Sequence, residues 1–384
     1  MDQEGILVGK KKELEFQVIS DFLSRKLSRV QASELLGVKE RTISRKARRL
    51  ESKGLKALVH GNKKRPPKNK ILDSTKREAM DLVQSKYFDF NMSHCLEILK
   101  RDHNLGISYE TFRRWAHEKH LVKRKKRRRS KPRKYRDRMD CRGLLLQFDG
   151  SPHRWNGKET WCLIGAIDDA TSEMPYAEFF LSEDTLNCMS VMQKIIEKNG
   201  IPYAIYVDRA GWFGGQKRQN FAQFKRACEE LDINVIFANS PQAKGRIERA
   251  WDTIQDRLIP EMRIRNIKRM PAANDYLQSQ FLANYWNIKN TVVPKSLDSK
   301  YRNLDSRIKL NEIFCTKEYR VVKHDHTISW NSQLYQVCSP LEYSIQNQEI
   351  ELRKYQDLTW KAFFAGKEIE LKIIIPPERA QVAA

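Results

Sequence analysis

The chain has 384 residues, 40% of them hydrophobic and 10% aromatic, which argues against wholesale disorder and leads one to expect two to four domains. No run of about eighteen apolar residues occurs and the first sixteen residues lack an apolar centre, so neither a membrane span nor a secretory leader is expected. Lys and Arg total 72 against 48 acids, a net charge of +24, and the surplus is uneven: residues 1–140 hold 39 basic and 18 acidic side chains, residues 141–384 hold 33 and 30. A surplus confined to one end suggests that this end grips nucleic acid while the rest does something else. Seven scattered cysteines read as reduced thiols of a cytoplasmic protein rather than a disulfide framework.

Residues 13–50 carry apolar positions at helical spacing (Val18, Ile19, Phe22, Leu23, then Ala32, Leu35, Leu36), interrupted at Gly37 and resumed from Val38. This is the outline of a helix-turn-helix, whose second helix offers Arg41, Thr42, Ser44 and Arg45 to a DNA groove around a buried Ile43. A plain helical hairpin with a solvated charged face is the alternative. The outline recurs over 75–120, where Gly106 supplies a turn, Ser108 a cap, and the last helix exposes Arg113 and Arg114. We therefore expect two DNA-binding units, 1–60 and 61–122, joined by the basic, Pro-rich GNKKRPPKNK. Next comes a linker, 123–138, in which twelve of sixteen residues are Lys or Arg, Lys125 and Arg128 among them. Such a run meets a polyanion through its charge alone.

From Cys141 the composition changes. LLLQFD (144–149), WCLIGAIDD (161–169), PYAEFFL (175–181), AIYVD (204–208) and NVIFAN (234–239) read as strands, and helices are expected near 184–199, 219–232 and from the loop at 240 onward. The order β-β-β-α-β-α-β-α predicts a mixed α/β sheet flanked by helices. Asp149 and Asp208 close two of these strands and Glu248 lies in the first turns of a helix. Carboxylates from separate elements can converge, repel one another, and be neutralised by hard divalent cations. Two such ions about 3.5–4 Å apart can activate an attacking hydroxyl and stabilise a departing phosphate oxygen. Asp168 and Asp169 compete for that role, but a tight turn in which Asp169 bonds backbone amides is the expected arrangement, with both acids structural.

The segments LLLQFDGSPHRW, LIGAIDDATS, VDRAGWF and SPQAKGRIERAWDTIQDRL together resemble the catalytic core of bacterial insertion-sequence transposases, the ISNCY-like group, which shares the retroviral-integrase core and its RNase H-like fold. The resemblance covers about 140–295. It implies that Asp149, Asp208 and Glu248 are the catalytic, metal-binding DDE triad holding two Mg²⁺ (or Mn²⁺) ions. It also implies binding of terminal inverted repeats and target DNA, strand cleavage and strand transfer, and a homo-oligomer on DNA near the nucleoid. Many integrase relatives carry a Lys or Arg two helical turns after the Glu. Gln255 stands there, which shifts DNA-end contact to Lys244, Arg246, Arg249 or Arg257. Alternatives are a catalytically silent DNA-binding regulator derived from a transposase, and a plain nuclease acting on RNA–DNA hybrids.

From 317 the sequence alternates, with turns at KHDH, NSQ and Gly366, and predicts five to seven short strands in a small barrel. The domains expected are thus 1–60, 61–122, the 123–138 linker, a core at 139–295, and a β-barrel at 296–384, where Lys317, Arg320, Lys323, Arg353 and Lys354 could follow a DNA backbone, with protein–protein contact within the assembly as the alternative.

Overall fold

In the computed structural model, residues 10–54, 70–122, 136–208, 216–238, 245–338 and 344–374 are described. The chain divides into two units, Met1–Arg77 and Glu78–Ala384. Lys125, Arg128, Lys244 and the glycine-bearing 211–215 stretch fall outside the described residues.

In the first unit the region before Gly37 is not one helix but two. Helix α1 (Lys10–Leu23) stops where Arg25 turns left-handed, and α2 (Arg29–Leu36) restarts on Ser28, whose hydroxyl accepts from the Gln31 amide while Gln31 bonds back to the Ser28 amide. Gly37, at φ 58°, closes α2 in a conformation glycine adopts without cost, and α3 (Glu40–Lys53) comes next. Val18, Ile19, Ala32, Ile43, Ala47 and Leu50 form the shared core. Leu35, expected in that core, is exposed. Glu15 on α1 fixes the start of this bundle to α3 through Lys46 at 2.5 Å.

The second unit opens on three helices, the end of α4 (Asp73–Ser85), α5 (Met92–Asp102) and α6 (Tyr109–Glu118). Ser108 caps α6 as expected, accepting from the Thr111 amide, whereas the left-handed residue of the preceding turn is Asn104 rather than Gly106. These helices belong to the same compact unit as the two β-sheets of the chain.

The central sheet has the order β3-β2-β1-β4-β5, with β1 (Leu146–His153), β2 (Trp161–Asp168) and β3 (Ala177–Phe180) antiparallel, and β4 (Ala204–Asp208) and β5 (Asn234–Ala238) parallel to β1. Two helices, α7 (Thr185–Asn199) and α8 (Gln216–Glu229), and the long α9 (Gly245–Ile264) complete the expected mixed layer. Period-two alternation divides β1: Leu146 and Phe148 enter the cluster built with α7 and α8, while the odd-numbered side chains turn to α9. α9 buries a stripe of Ile247, Ala250, Trp251, Ile254 and Leu258, each large aliphatic side chain contributing about 1.5–3 kcal/mol. The helical stretch begun by α9 is interrupted: α9 ends at Ile264, α10 (Met270–Tyr276) comes after it, and Leu277–Trp286 is wound as a π-helix.

The core does not end at 295. The segment 296–314 returns across the sheet, where Ile201 and Arg302 exchange backbone hydrogen bonds of 2.8 Å and Leu310 and Phe314 join the sheet's hydrophobic cluster. Gly143, at φ 78°, is pressed so closely by Tyr301 that a Cβ would lie 2.7 Å from its amide nitrogen. Six strands then form a nearly closed antiparallel sheet, β6 (Thr316–Val321), β7 (Thr327–Trp330), β8 (Gln333–Cys338), β9 (Glu349–Lys354), β10 (Trp360–Phe364) and β11 (Lys367–Ile374), in the order β6-β9-β10-β11-β8-β7. The tight turns fall where expected, at Asn331–Ser332 and Ala365–Gly366, all four residues having positive φ.

Candidate active site

The β1–β4 ladder pairs Leu146 with Ile205 and Gln147 with Tyr206, an offset of 59 residues. Continued two residues further, the same offset sets Asp149 level with Asp208, the last residue of β4, itself paired in register with Ala238 of β5. The pairing itself stops at Gln147 and Tyr206, so the common level of the two aspartates is the ladder's register carried two residues past its last pair. Asp149 does not close its strand, as expected from the sequence, because β1 continues to His153. Beyond Gln147 the β4 ladder has ended, and Pro152 has no strand on that side that needs its missing N–H.

The third acid arrives on α9, which lies along β1 and runs in the same direction. The Ile247 amide donates to Gln147 Oε1 (3.1 Å), Trp251 Nε1 donates to Asp149 Oδ2 (3.3 Å), and Gln255 Nε2 donates to Ser151 Oγ (3.0 Å). Two strand residues rise about 6.6 Å and four helical residues about 6 Å, so the three contacts stay in step. Glu248 comes directly after the first of them, exposed in the opening turn of α9, where the helix dipole favours an acid. Gln255, in the position where a base was sought, is committed to Ser151.

The competing acids are spoken for. Asp168 is buried and accepts from the amides of Gly143 (2.7 Å), Ala170 (2.9 Å) and Thr171 (3.1 Å); burial raises its pKa and these bonds offset the rise in part. Asp169, also buried, takes Arg136, Arg246 (2.8 Å) and Gln147 Nε2 (2.6 Å) on one oxygen and the Met139 amide (3.0 Å) on the other. It is Asp168, not Asp169 as expected, that takes the amides of the turn, while Asp169 ties the end of the basic linker to the start of α9. That cluster carried no legible motif; its signal was the lone Gln147 within an apolar strand, since a buried amide requires partners. Cys162, on β2 opposite Pro152, lies in the cluster on the other face of the sheet, and burial, with the charges of Glu183 and Asp149, pushes its thiol up to about 12.

Among the described residues no group of three or more His, Cys, Asp or Glu could hold a metal ion; the Asp208 side chain lies outside that set. The expected DNA-contacting residues are divided. Arg41, Arg45, Arg113 and Arg114 are exposed, and Thr42 and Ser44 half-buried, on α3 and α6. Arg249 is exposed and bonds the Gly245 carbonyl at 2.7 Å. Arg246, by contrast, is turned inward onto Asp169 and the Arg136 carbonyl, and Arg257 is buried on Glu97 and the Tyr285 ring. In the β-rich region Lys317 pairs with Glu230, just past the end of α8, at 2.9 Å, and Arg353 with Glu351 and Glu312, so their charges serve packing rather than a backbone-following groove.

The architecture is a mixed α/β sheet with acids at one end, helices before it and a small antiparallel β-sheet after it. Over 99% of its length the chain is 29% identical to a protein named "Putative transposase y4bF" from Sinorhizobium fredii, spanning 85% of that protein. Over 91% of its length it is 29% identical to the transposase for insertion sequence IS1202 of Streptococcus pneumoniae, spanning 82% of it. The chain is a homologue of the insertion-sequence transposases. No family model matches it. Among solved structures it is similar to the HTLV-2 integrase catalytic core domain in complex with magnesium (17% identity, 37% of this chain and 88% of that one, TM-score 0.30). It is also similar to a chain of the simian T-cell lymphotropic virus intasome in complex with PP2A regulatory subunit B56 gamma (14% identity, 78% and 99%, TM-score 0.35).

Proposed function

We propose that the protein is a DDE transposase with an RNase H-like core that cuts the ends of an insertion sequence and joins them to target DNA, with Asp149, Asp208 and Glu248 as its metal-binding triad. The observation that carries this reading is the shared register of Asp149 and Asp208 beside a helix that β1 locks in place and that bears Glu248 in its first turn. The donors are all oxygens, the set that suits Mg²⁺ or Mn²⁺. A pair of such ions supplies charge neutralisation and a lowered pKa for the attacking hydroxyl.

Asp149, Asp208 and Glu248 would hold the cations, and the scissile phosphate would be bound against them. Water attacks the scissile phosphorus in line, its proton passing to solvent, and the departing oxygen becomes a free 3′-hydroxyl. That hydroxyl attacks a target phosphodiester in the same site, exchanging one P–O bond for another. Exposed Arg41, Arg45, Arg113 and Arg114, on helix-turn-helix units, grip the terminal inverted repeats, and Arg249 lies one residue from Glu248 for the phosphate backbone. Two ends cut in concert require more than one copy of the chain on DNA.

The test is incubation of the purified chain with duplexes ending in the inverted repeats that flank its reading frame, with Mg²⁺ and with chelator. A metal-dependent nick leaving a 3′-hydroxyl supports the proposal. Selective binding without cleavage supports the silent regulator instead.

A further inference from the structure

We infer that Trp251 is a positioning residue that orients Asp149 for cation binding; the inference rests on the function just proposed. Its ring is buried among Ile247, Leu163, Phe179 and Ile254, with 5% of its surface exposed, so the indole has little freedom to turn. Its Nε1–H is directed at one oxygen of Asp149, 3.3 Å away. Trp251 also lies one helical turn beyond Glu248, so a single rigid helix carries one acid and holds another. The bonds above and below it, Ile247 to Gln147 and Gln255 to Ser151, prevent the helix from sliding along the strand.

The chemical nature of the donor matters. Asp169, a few ångströms along the same seam through Gln147, is neutralised by two guanidinium groups, which removes the reason for a cation to bind there. An indole N–H fixes the direction of the Asp149 carboxylate without supplying a positive charge that would compete with a metal ion. A Phe in its place would keep the packing and release the oxygen.

The experiment uses the full chain without DNA and Mn²⁺ as probe, with free Mn²⁺ counted by electron paramagnetic resonance. Trp251→Phe should retain the thermal midpoint of the parent and bind Mn²⁺ about tenfold more weakly, the scale of one hydrogen bond to a charged group. A folded Trp251→Phe with parental Mn²⁺ affinity would overturn the inference while leaving the proposed function standing. Parental protein that binds no Mn²⁺ would sink both. If the variant does not fold, the parent's eight indole N–H signals decide the matter. Mn²⁺ should broaden one of them in the parent and not in Asp149→Asn, and the absence of any such signal would refute the inference.

Discussion

Asp149 on β1 and Asp208 on β4 are separated by the same 59 residues that pair Leu146 with Ile205 in the parallel ladder between their strands. This is the feature that gives the sheet's end a chemical purpose. Its consequences reach the helices packed around it.

Glu261, near the C-terminal end of α9, is buried, accepts from Tyr276 and contacts His94 Nε2 of α5 at 2.8 Å. Burial pushes its pKa up, but the bonds from His94 and Tyr276 and the charge of Arg265 outweigh it and hold the carboxyl below the ordinary 4.5. A depressed acid contributes stability above its unfolded pKa and loses it as pH falls through the folded value. The difference in urea stability between parent and Glu261→Gln should therefore be largest and flat above pH 4.5, and should shrink below it. A gap that widens toward low pH would reverse the assignment.

Asp169 is the buried acceptor for Arg136, Arg246, Gln147 and the Met139 amide. Asp169→Ala leaves those cations without their counter-charge, a loss of about 3–5 kcal/mol by analogy with other broken buried pairs. Denaturant melts of the two proteins measure it directly. Asp169→Ala at parental stability would mean that solvent replaces the carboxylate and that the linker is not anchored there.

The sequence alone suggests that removing residues 1–120 leaves a folded core. The α5–α9 interface predicts otherwise, since that cut removes His94, Glu97 and Asp89 from Glu261, Arg257 and Arg263. Removal of residues 1–69 should preserve cooperative melting and abolish preference for the element's ends. Removal of 1–120 should lower the melting temperature and broaden the transition. Equal melting of both truncations would show that the interface adds nothing to the core.

The places of Asp208 at the end of β4 and of Glu248 in the first turn of α9 were legible because those two elements end and begin on a change of hydrophobic period. Gly150 and Pro152 misled about the length of β1, since both read as turn residues and only the absence of a β4 partner there makes them tolerable. Arg246 and Arg257 read as DNA contacts because charge is visible in a sequence and a buried counter-charge from a distant segment, Asp169 or Glu97, is not. The return of 296–314 over the sheet escaped for the same reason: its apolar residues are sparse, and Gly143 and Gly200 show their purpose only beside Tyr301 and Arg302. The π-helix at Leu277–Trp286 carries the apolar spacing of an ordinary helix and has no separate signature.

The central claim is that Asp149, Asp208 and Glu248 act on one phosphate through shared cations. The most direct measurement is strand cleavage at the element end, in Mg²⁺, by Asp149→Asn, Asp208→Asn and Glu248→Gln, with end binding followed in parallel by gel shift. The account predicts cleavage below detection for all three, with binding affinity within about threefold of the parent. Parental cleavage by any one of them would contradict it.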